Sequence, residues 1–252
     1  MKSVCRLTCH RLLLAQLLGL VLLLIGCSIT INVGPPRPCP EPARPDRPDV
    51  CVGAAARSRG AALINVDFGA GASTAKTGPA AVGLSARDYW NFYTRDEGGD
   101  PQRWRQAGAL PHLRDDQGAD CGAGLVVRHA PGAWGNGAAD PMYATYLYPF
   151  DYSQCITVTL TNLPPARYDI YLYGHTAGDD GNSRYELMLD EQPCGSRATA
   201  GPGWQQPLWV EGVHYVVFRD VRVASREQIL EVVVHPGRVH ALLAGMQLAR
   251  RQ

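Results

Sequence analysis

The stretch CITVTLTNLPPARYDIYLYG, residues 155–174, decides the fold. Ile156, Val158 and Leu160 alternate with Thr157, Thr159 and Thr161, the two-residue period of a strand with one face buried and the other wet. Pro164-Pro165 interrupts the run, because proline offers no backbone donor to a ladder, and ARYDIYLYG then restarts it as a second strand. Similar short runs extend in both directions. LINVDF (63–68), GLVVRHA (124–130) and MYATYLYPF (142–150) precede it; RYELMLD (184–190), HYVVFRDVRV (214–223), QILEVVVHPG (228–237) and HALLAGMQLA (240–249) follow. No apolar stripe of period 3.6 is sustained, and strands do not alternate with helices. The expected class is all-β, an antiparallel two-sheet β-sandwich of the jelly-roll kind, with a long N-terminal loop region over 69–123.

Composition agrees. The 27 Gly and 19 Pro among 252 residues demand frequent turns, and every Trp, Tyr and Phe lies at or beyond Phe68, so a large core belongs to residues 62–252. Basic and acidic residues number 24 and 23, which argues against a nucleic-acid partner held by a basic surface.

Residues 1–26 read as a signal peptide or signal anchor. Lys2, Arg6 and Arg11 precede the apolar run LLLAQLLGLVLLLIG, 12–26. Leu24-Ile25-Gly26-Cys27 resembles the lipobox of bacterial lipoproteins, which implies lipidation of Cys27 and a mature chain beginning there. The alternative is an uncleaved anchor, since residues 12–33 are long and apolar enough to span a bilayer. Either way the expected location is extracytoplasmic and membrane-anchored, at a bacterial cell envelope or surface. Residues 27–61 then form a Pro-rich linker, with a run of extended, polyproline-like character at 34–49. Cys39 and Cys51 flank part of it and are one disulfide pairing an oxidising compartment would permit; connectivity with Cys121, Cys155 and Cys194 stays open.

The order INVDFG, TGPAAVG, DYWNFY, PFDYSQCITVTLTNLPPARYDIYLYGH, VEGVHYVVFRDV and HALLAGMQLA resembles the galactose-binding-like β-sandwich domains of exported bacterial surface proteins, over about residues 62–249. The resemblance implies a jelly roll whose ligand, if it has one, sits in loops at one end or on a sheet face. Cys121, Cys155 and Cys194 depart from that pattern.

A sugar site needs flat apolar rings for the C–H face of a pyranose and fixed polar groups for its hydroxyls. The candidates are Tyr89 and Trp90 in DYWNFY, Trp104 between Arg103 and Arg105, Trp134 and Asn136 in PGAWGNG, and His175. The bland alternative makes DYWNFY a core plug beneath the long loop. Asp179, Asp180 and Asn182 in GHTAGDDGNSR offer the hard oxygens that Ca2+ prefers, against the alternative of a polar loop using Asp and Asn for its turns. Asp67 is expected to hydrogen-bond the glycine-rich turn after the first strand.

Catalysis has less support. G-x-S-x-G and the P-loop motif are absent, and so is metal-type Cys/His spacing. Asp96, Glu97, Asp115, Asp116, Asp179, Asp180 and Glu186 contain carboxylates for a glycosidase pair only if folding brings two together. His129, His175, His214, His235 and His240 are the histidines a lyase or esterase would draw on. The leading expectation is a non-catalytic module that binds a glycan or other envelope component; a structural or protein-interaction module of the envelope comes second, and a small carbohydrate-active hydrolase or lyase third.

Overall fold

A computed structural model describes residues 62–178, 181–202 and 209–251. In chain order the strands begin with β1 (Leu63–Gly69), β2 (Asn91–Thr94), β3 (Asp96–Glu97), β4 (Asp100–Trp104) and β5 (Ala107–Leu110). They continue with β6 (Gly124–Arg128), β7 (Gly132–Gly135), β8 (Thr145–Tyr148), β9 (Ile156–Thr161) and β10 (Ala166–Tyr173). The last are β11 (Ser183–Leu189), β12 (Gln192–Ala198), β13 (Tyr215–Val223), β14 (Leu230–Pro236) and β15 (Gly245–Arg251). A 3-10 turn, Pro141–Ala144, precedes β8.

Two sheets face each other. One has the order β13-β10-β15-β1-β2 and the other β12-β11-β14-β9-β6-β5; β3-β4 and β7-β8 are separate two-stranded ribbons. The expected β-sandwich is the observed architecture. Its core lies between the inward rows of the two sheets, including Ile64, Val66 and Phe68 from β1, Val158 and Leu160 from β9, and Ile170 and Leu172 from β10. Leu160 has no exposed surface, and truncating such a side chain to alanine typically costs about 2–5 kcal/mol.

The alternation in β9 holds: its apolar residues are buried, while Thr157 and Thr159 are half-buried and Thr161 is exposed. β9 and β10 do not pair with each other, however. The Pro164-Pro165 turn carries the chain from one sheet to the other, and β9 pairs with β14 and β6 while β10 pairs with β13 and β15. β11, the next strand after β10, likewise lies in the opposite sheet.

Three details differ from the sequence reading. The 69–123 region holds β2, β3, β4 and β5, whose short runs acquire their ladders from neighbours: β2 edges one sheet and β5 the other. β2 pairs with β1 in parallel, Val66 opposite Asn91, because residues 70–90 cross the sheet face and return the chain in the same direction. HALLAGMQLA is strand only from Gly245; its first part instead bridges β8 through Leu147 and Leu243.

Residues 70–90 also explain why β1 is buried along its whole length. They join the 3-10 turn and β8 as a third layer, packing Trp90, Met142, Tyr143 and Tyr146 onto Tyr171, Tyr173, Leu242 and Ala249. The polar residues beneath must then be satisfied internally. Gln247 donates to Asn65 Oδ1 at 2.7 Å and to the Val82 carbonyl at 3.0 Å, and Asn65 donates to the Tyr89 carbonyl at 2.8 Å. Asn91 donates to the carbonyls of Asn65 (2.9 Å) and Arg114 (2.7 Å).

Candidate functional site

Among the described residues the exposed aromatic side chains other than Tyr89 gather on one ribbon and its surroundings. β8 presents Tyr146 and Tyr148 on one face, since residues two apart in a strand point the same way. Trp134 of β7, directly opposite Tyr146 in the ladder, shares that face and is 63% exposed. Tyr148 lies across Gly132, its ladder partner: a Cβ placed there would stand 2.5 Å from the ring. Glycine at 132 is therefore a condition of the Tyr148 orientation.

After β8 the chain turns at Asp151, whose carboxylate accepts from the Ser153 amide at 2.9 Å and the Ser153 hydroxyl at 2.7 Å. Those bonds hold its pKa below the usual carboxylate value. The turn presents Phe150 and Tyr152 to solvent, 49% and 55% exposed. Phe150 meets Trp104 of β4 edge-on at 5.6 Å between centroids and Tyr148 at 6.0 Å. Tyr152 meets Tyr148 at 6.4 Å. His240, from the segment before β15, sits among Tyr152 (5.0 Å), Tyr148 (5.2 Å) and Tyr146 (5.9 Å). Trp104, Phe150, Tyr148, Tyr152 and His240 thus form an unbroken strip of ring contacts, partly buried and partly open.

The strip is braced from below. Arg95 places its guanidinium 4.2 Å from the Trp104 ring centroid, donates to Asp96 Oδ1 at 2.9 Å, and donates to the Pro131 carbonyl at 3.1 Å, just ahead of β7. Asp96 is nearly inaccessible and also accepts from the Gly71 amide at 2.5 Å. One arginine therefore ties the ribbon carrying Trp104 to the ribbon carrying Trp134. Burial, with Tyr148 and Tyr152 nearby, pushes the Tyr146 phenol up to about 12, so it remains a neutral hydroxyl.

The residues singled out in the sequence divide cleanly. Trp104 and Trp134 are exposed, Trp104 in the strip and Trp134 on the ribbon that supports it. Tyr89, 39% exposed, packs instead near the 115–119 turn, where its amide donates to the Asp116 carbonyl at 2.9 Å. Trp90 is buried in the third layer and donates its indole N–H to the Gly78 carbonyl at 2.9 Å. Asn136 is a buried latch: its amide donates to the His175 carbonyl at 2.9 Å and its oxygen accepts from the Ala177 amide at 2.5 Å. His175 is wholly buried, with Nδ1 2.7 Å from the Thr176 carbonyl. Phe150, Tyr148, Tyr152 and His240 were not singled out as ligand contacts; an aromatic run, YLYPFDY at 146–152, is the signal that points to most of them.

Asp179 and Asp180 lie outside the described residues, as do Cys27 and the linker cysteines; Asn182 is half-buried at the start of the following segment. Among the described residues no group of three or more His, Cys, Asp or Glu is placed to hold a metal ion. Cys155 is disulfide-bonded, whereas Cys121 and Cys194 are free thiols.

The carboxylates that a hydrolase would need are dispersed among separate partners. Asp96 pairs with Arg95, Glu97 with Arg103, and Asp115 caps its own turn through the Gln117 and Ala119 amides. Asp116 accepts from the Leu63 amide at 2.9 Å. Glu186 accepts from His235 Nε2 at 3.0 Å, and His235 Nδ1 lies 3.3 Å from Cys155 Sγ. That row has the order of a thiol triad, but its sulfur is committed to a disulfide. Burial, aided by Arg184, lowers the His235 pKa.

One further buried acid stands out. Asp67, on the outer face of β1, accepts from the Thr74 hydroxyl through Oδ2, while Oδ1 has no hydrogen-bond partner. The expected bond to the following turn is therefore present. Nearby, Lys76 donates to Asp140 Oδ2 at 2.6 Å and to the Pro79 carbonyl at 3.0 Å, and lies over the Trp90 and Trp209 rings. Burial raises the Asp67 pKa to about 7; Thr74 opposes the shift, Asp140 adds to it and Lys76 opposes it.

No protein-family model and no curated protein matches the chain. Among solved structures it is similar to the CBM36-1 domain of a multidomain xylanase from the hindgut metagenome of Trinervitermes trinervoides, at 15% identity, covering 48% of this chain and 87% of that one, with a TM-score of 0.33. It is also similar to a carbohydrate-binding module CBM36 in complex with calcium and xylotriose, at 13% identity, 46% and 87% coverage and a TM-score of 0.31. A third is the ANXUR2 extracellular domain from Arabidopsis thaliana, at 8% identity, 75% and 48% coverage and a TM-score of 0.34. Likeness at this level carries no argument about what the present chain binds.

Proposed function

We propose that the protein is a membrane-anchored, extracytoplasmic and non-catalytic β-sandwich module that binds a glycan of the cell envelope through the aromatic strip. The observation that carries this reading is the continuity of Trp104, Phe150, Tyr148, Tyr152 and His240, with the outer rings half-exposed rather than folded inward. Each exposed ring offers its own flat apolar face, and the tyrosine hydroxyls and imidazole beside them offer polar groups, which suits the C–H faces of successive pyranoses and their hydroxyls. The rings come from three separate segments, and Arg95, Gly132 and the Asp151 turn hold Trp104, Tyr148 and the turn that carries Phe150, so the stacking part of the surface is formed before a ligand arrives.

The anchored location rests on residues 1–33, through lipidated Cys27 or an uncleaved anchor. The disulfide at Cys155 supports an oxidising compartment. Calcium at the 174–184 loop is a separate proposal, resting on the oxygen-rich composition of Asp179, Asp180 and Asn182.

The test is retention of the protein on a panel of immobilised polysaccharides, comparing wild type with Trp104→Ala and Phe150→Ala. Wild type is retained by at least one polysaccharide and both variants elute early with unchanged melting temperatures. Equal retention of folded variants and wild type sinks the assignment of the strip.

A further inference from the structure

His240 is the one residue of the strip whose chemistry the packing leaves unused. It is 8% exposed, yet neither Nδ1 nor Nε2 has a hydrogen-bond partner. A neutral imidazole carries one donor and one acceptor, and leaving each unpaired in a buried site costs roughly 1–3 kcal/mol. Hydrophobic packing does not explain the choice, because a phenylalanine would fill the space between Tyr146, Tyr148 and Tyr152 without that cost. Burial lowers the pKa of His240, and no charged neighbour contributes to the shift; the titratable groups packed on it are the three tyrosine phenols. It is therefore a neutral ring able both to give and to accept a hydrogen bond.

The geometry points to His240 as the polar anchor of the glycan site, hydrogen-bonding a hydroxyl of a neutral oligosaccharide whose neighbouring residue lies on Phe150 and Trp104. This rests on the glycan reading of the strip and deepens it. Tyr152 covers the imidazole at 5.0 Å from an exposed turn, so its ring is the one that moves aside to admit the hydroxyl. The neutral class rests on the arginines around Trp104, of which Arg105 is spent on the Thr94 carbonyl and the Tyr93 ring. Arg95 is taken up by Asp96, Pro131 and the underside of Trp104, and Arg103 pairs with Glu97. Two ring contacts, Phe150 to Tyr148 and Tyr148 to His240, separate the stacking surface from the anchor, which requires a ligand of more than one sugar.

The experiment compares full-length wild type with His240→Phe for affinity toward soluble xylan, β-glucan and galactan, with polygalacturonate as the charged control. It also follows the imidazole 15N resonances of wild-type His240 during titration. The expected result is binding of at least one neutral polysaccharide by wild type, a roughly five- to hundredfold weakening in His240→Phe at an undiminished melting temperature, and a shift of a His240 nitrogen on saturation. If wild type binds and His240→Phe binds equally, or the nitrogens do not respond, the anchor role is overturned while the strip stands. If only polygalacturonate binds, the neutral class is overturned. If wild type binds none of the four but is retained by a charged envelope polysaccharide, the neutral class is overturned and the strip stands; if it binds none of the four and no immobilised envelope polysaccharide retains it, the glycan reading itself fails, and the anchor with it.

Discussion

Replacing Asp67 with Asn should make the protein more stable at alkaline pH and leave it nearly unchanged in acid. Asp67 is 2% exposed, with one oxygen held by Thr74 and the other unpartnered. Its pKa rises from 3.8 to about 7 on folding, chiefly because burial penalises the charged form. Between those values the native state keeps a proton that the unfolded chain has released. Stability associated with this group is thus fully present below about pH 4 and is lost as pH rises towards 7. A shift of about three units, at 1.36 kcal/mol each, makes the loss about 4 kcal/mol, an upper figure that relaxation of the third layer reduces. Asparagine has nearly the same shape, accepts from Thr74 and does not ionise. The assay is reversible urea unfolding of both proteins at pH 4, 6 and 8, followed by fluorescence. The stability difference should be within about 1 kcal/mol at pH 4 and should favour Asn by about 2–4 kcal/mol at pH 8. Effects of titrating groups that do not interact with Asp67 cancel in the difference, so parallel stability curves across this range would refute the account of Asp67.

Other expectations concern the strip and its supports. Gly132→Val should displace Tyr148, because a Cβ at this position already meets its ring, and should weaken glycan retention with a fall of about 1–3 kcal/mol in stability; unchanged retention would show that the Tyr148 orientation is irrelevant. Arg95→Met should leave Asp96 buried without its cation, lowering stability by about 3–5 kcal/mol and loosening Trp104, seen as a change in Trp fluorescence anisotropy. If the 174–184 loop holds Ca2+, chelator lowers the melting temperature and added Ca2+ restores it; a melting temperature indifferent to both rejects the calcium proposal.

The sandwich was legible because β9 is half-buried: one row of Ile156, Val158 and Leu160 and one of threonines write its position into the sequence. β1 was harder to read. Asn65 and Asp67 alternate with Ile64, Val66 and Phe68 as a wet face would, yet both are buried, since 70–90 cover them and Gln247, Tyr89 and Thr74 satisfy them. A polar residue looks the same in sequence whether water or a buried amide is its partner. The ladders of β2, β4 and β5 were hidden for a different reason: β2 pairs with β1 across more than twenty intervening residues, and short runs such as DPQRW and AGAL carry little alternation of their own.

The site shows the same asymmetry between local and assembled features. Trp104 and Trp134 stand out in the sequence because a tryptophan in a Gly- or Arg-rich stretch has few local reasons to be there, and both rings are exposed. Trp90 and His175 had similar surroundings and proved to be packing, a difference set by the third layer. The strip itself joins residues 104, 148–152 and 240, brought together by the bridge between Leu147 and Leu243 and by the Arg95 contacts to Pro131 and Trp104. No spacing in the sequence encodes that meeting. What marks it as more than a leftover surface is the mismatch at its centre: three tyrosines provide a close-packed cage, and the residue inside has two nitrogens for which that cage has no use. Packing alone would favour a phenylalanine there, and a bound hydroxyl is the partner that the proposed glycan site would supply to those nitrogens.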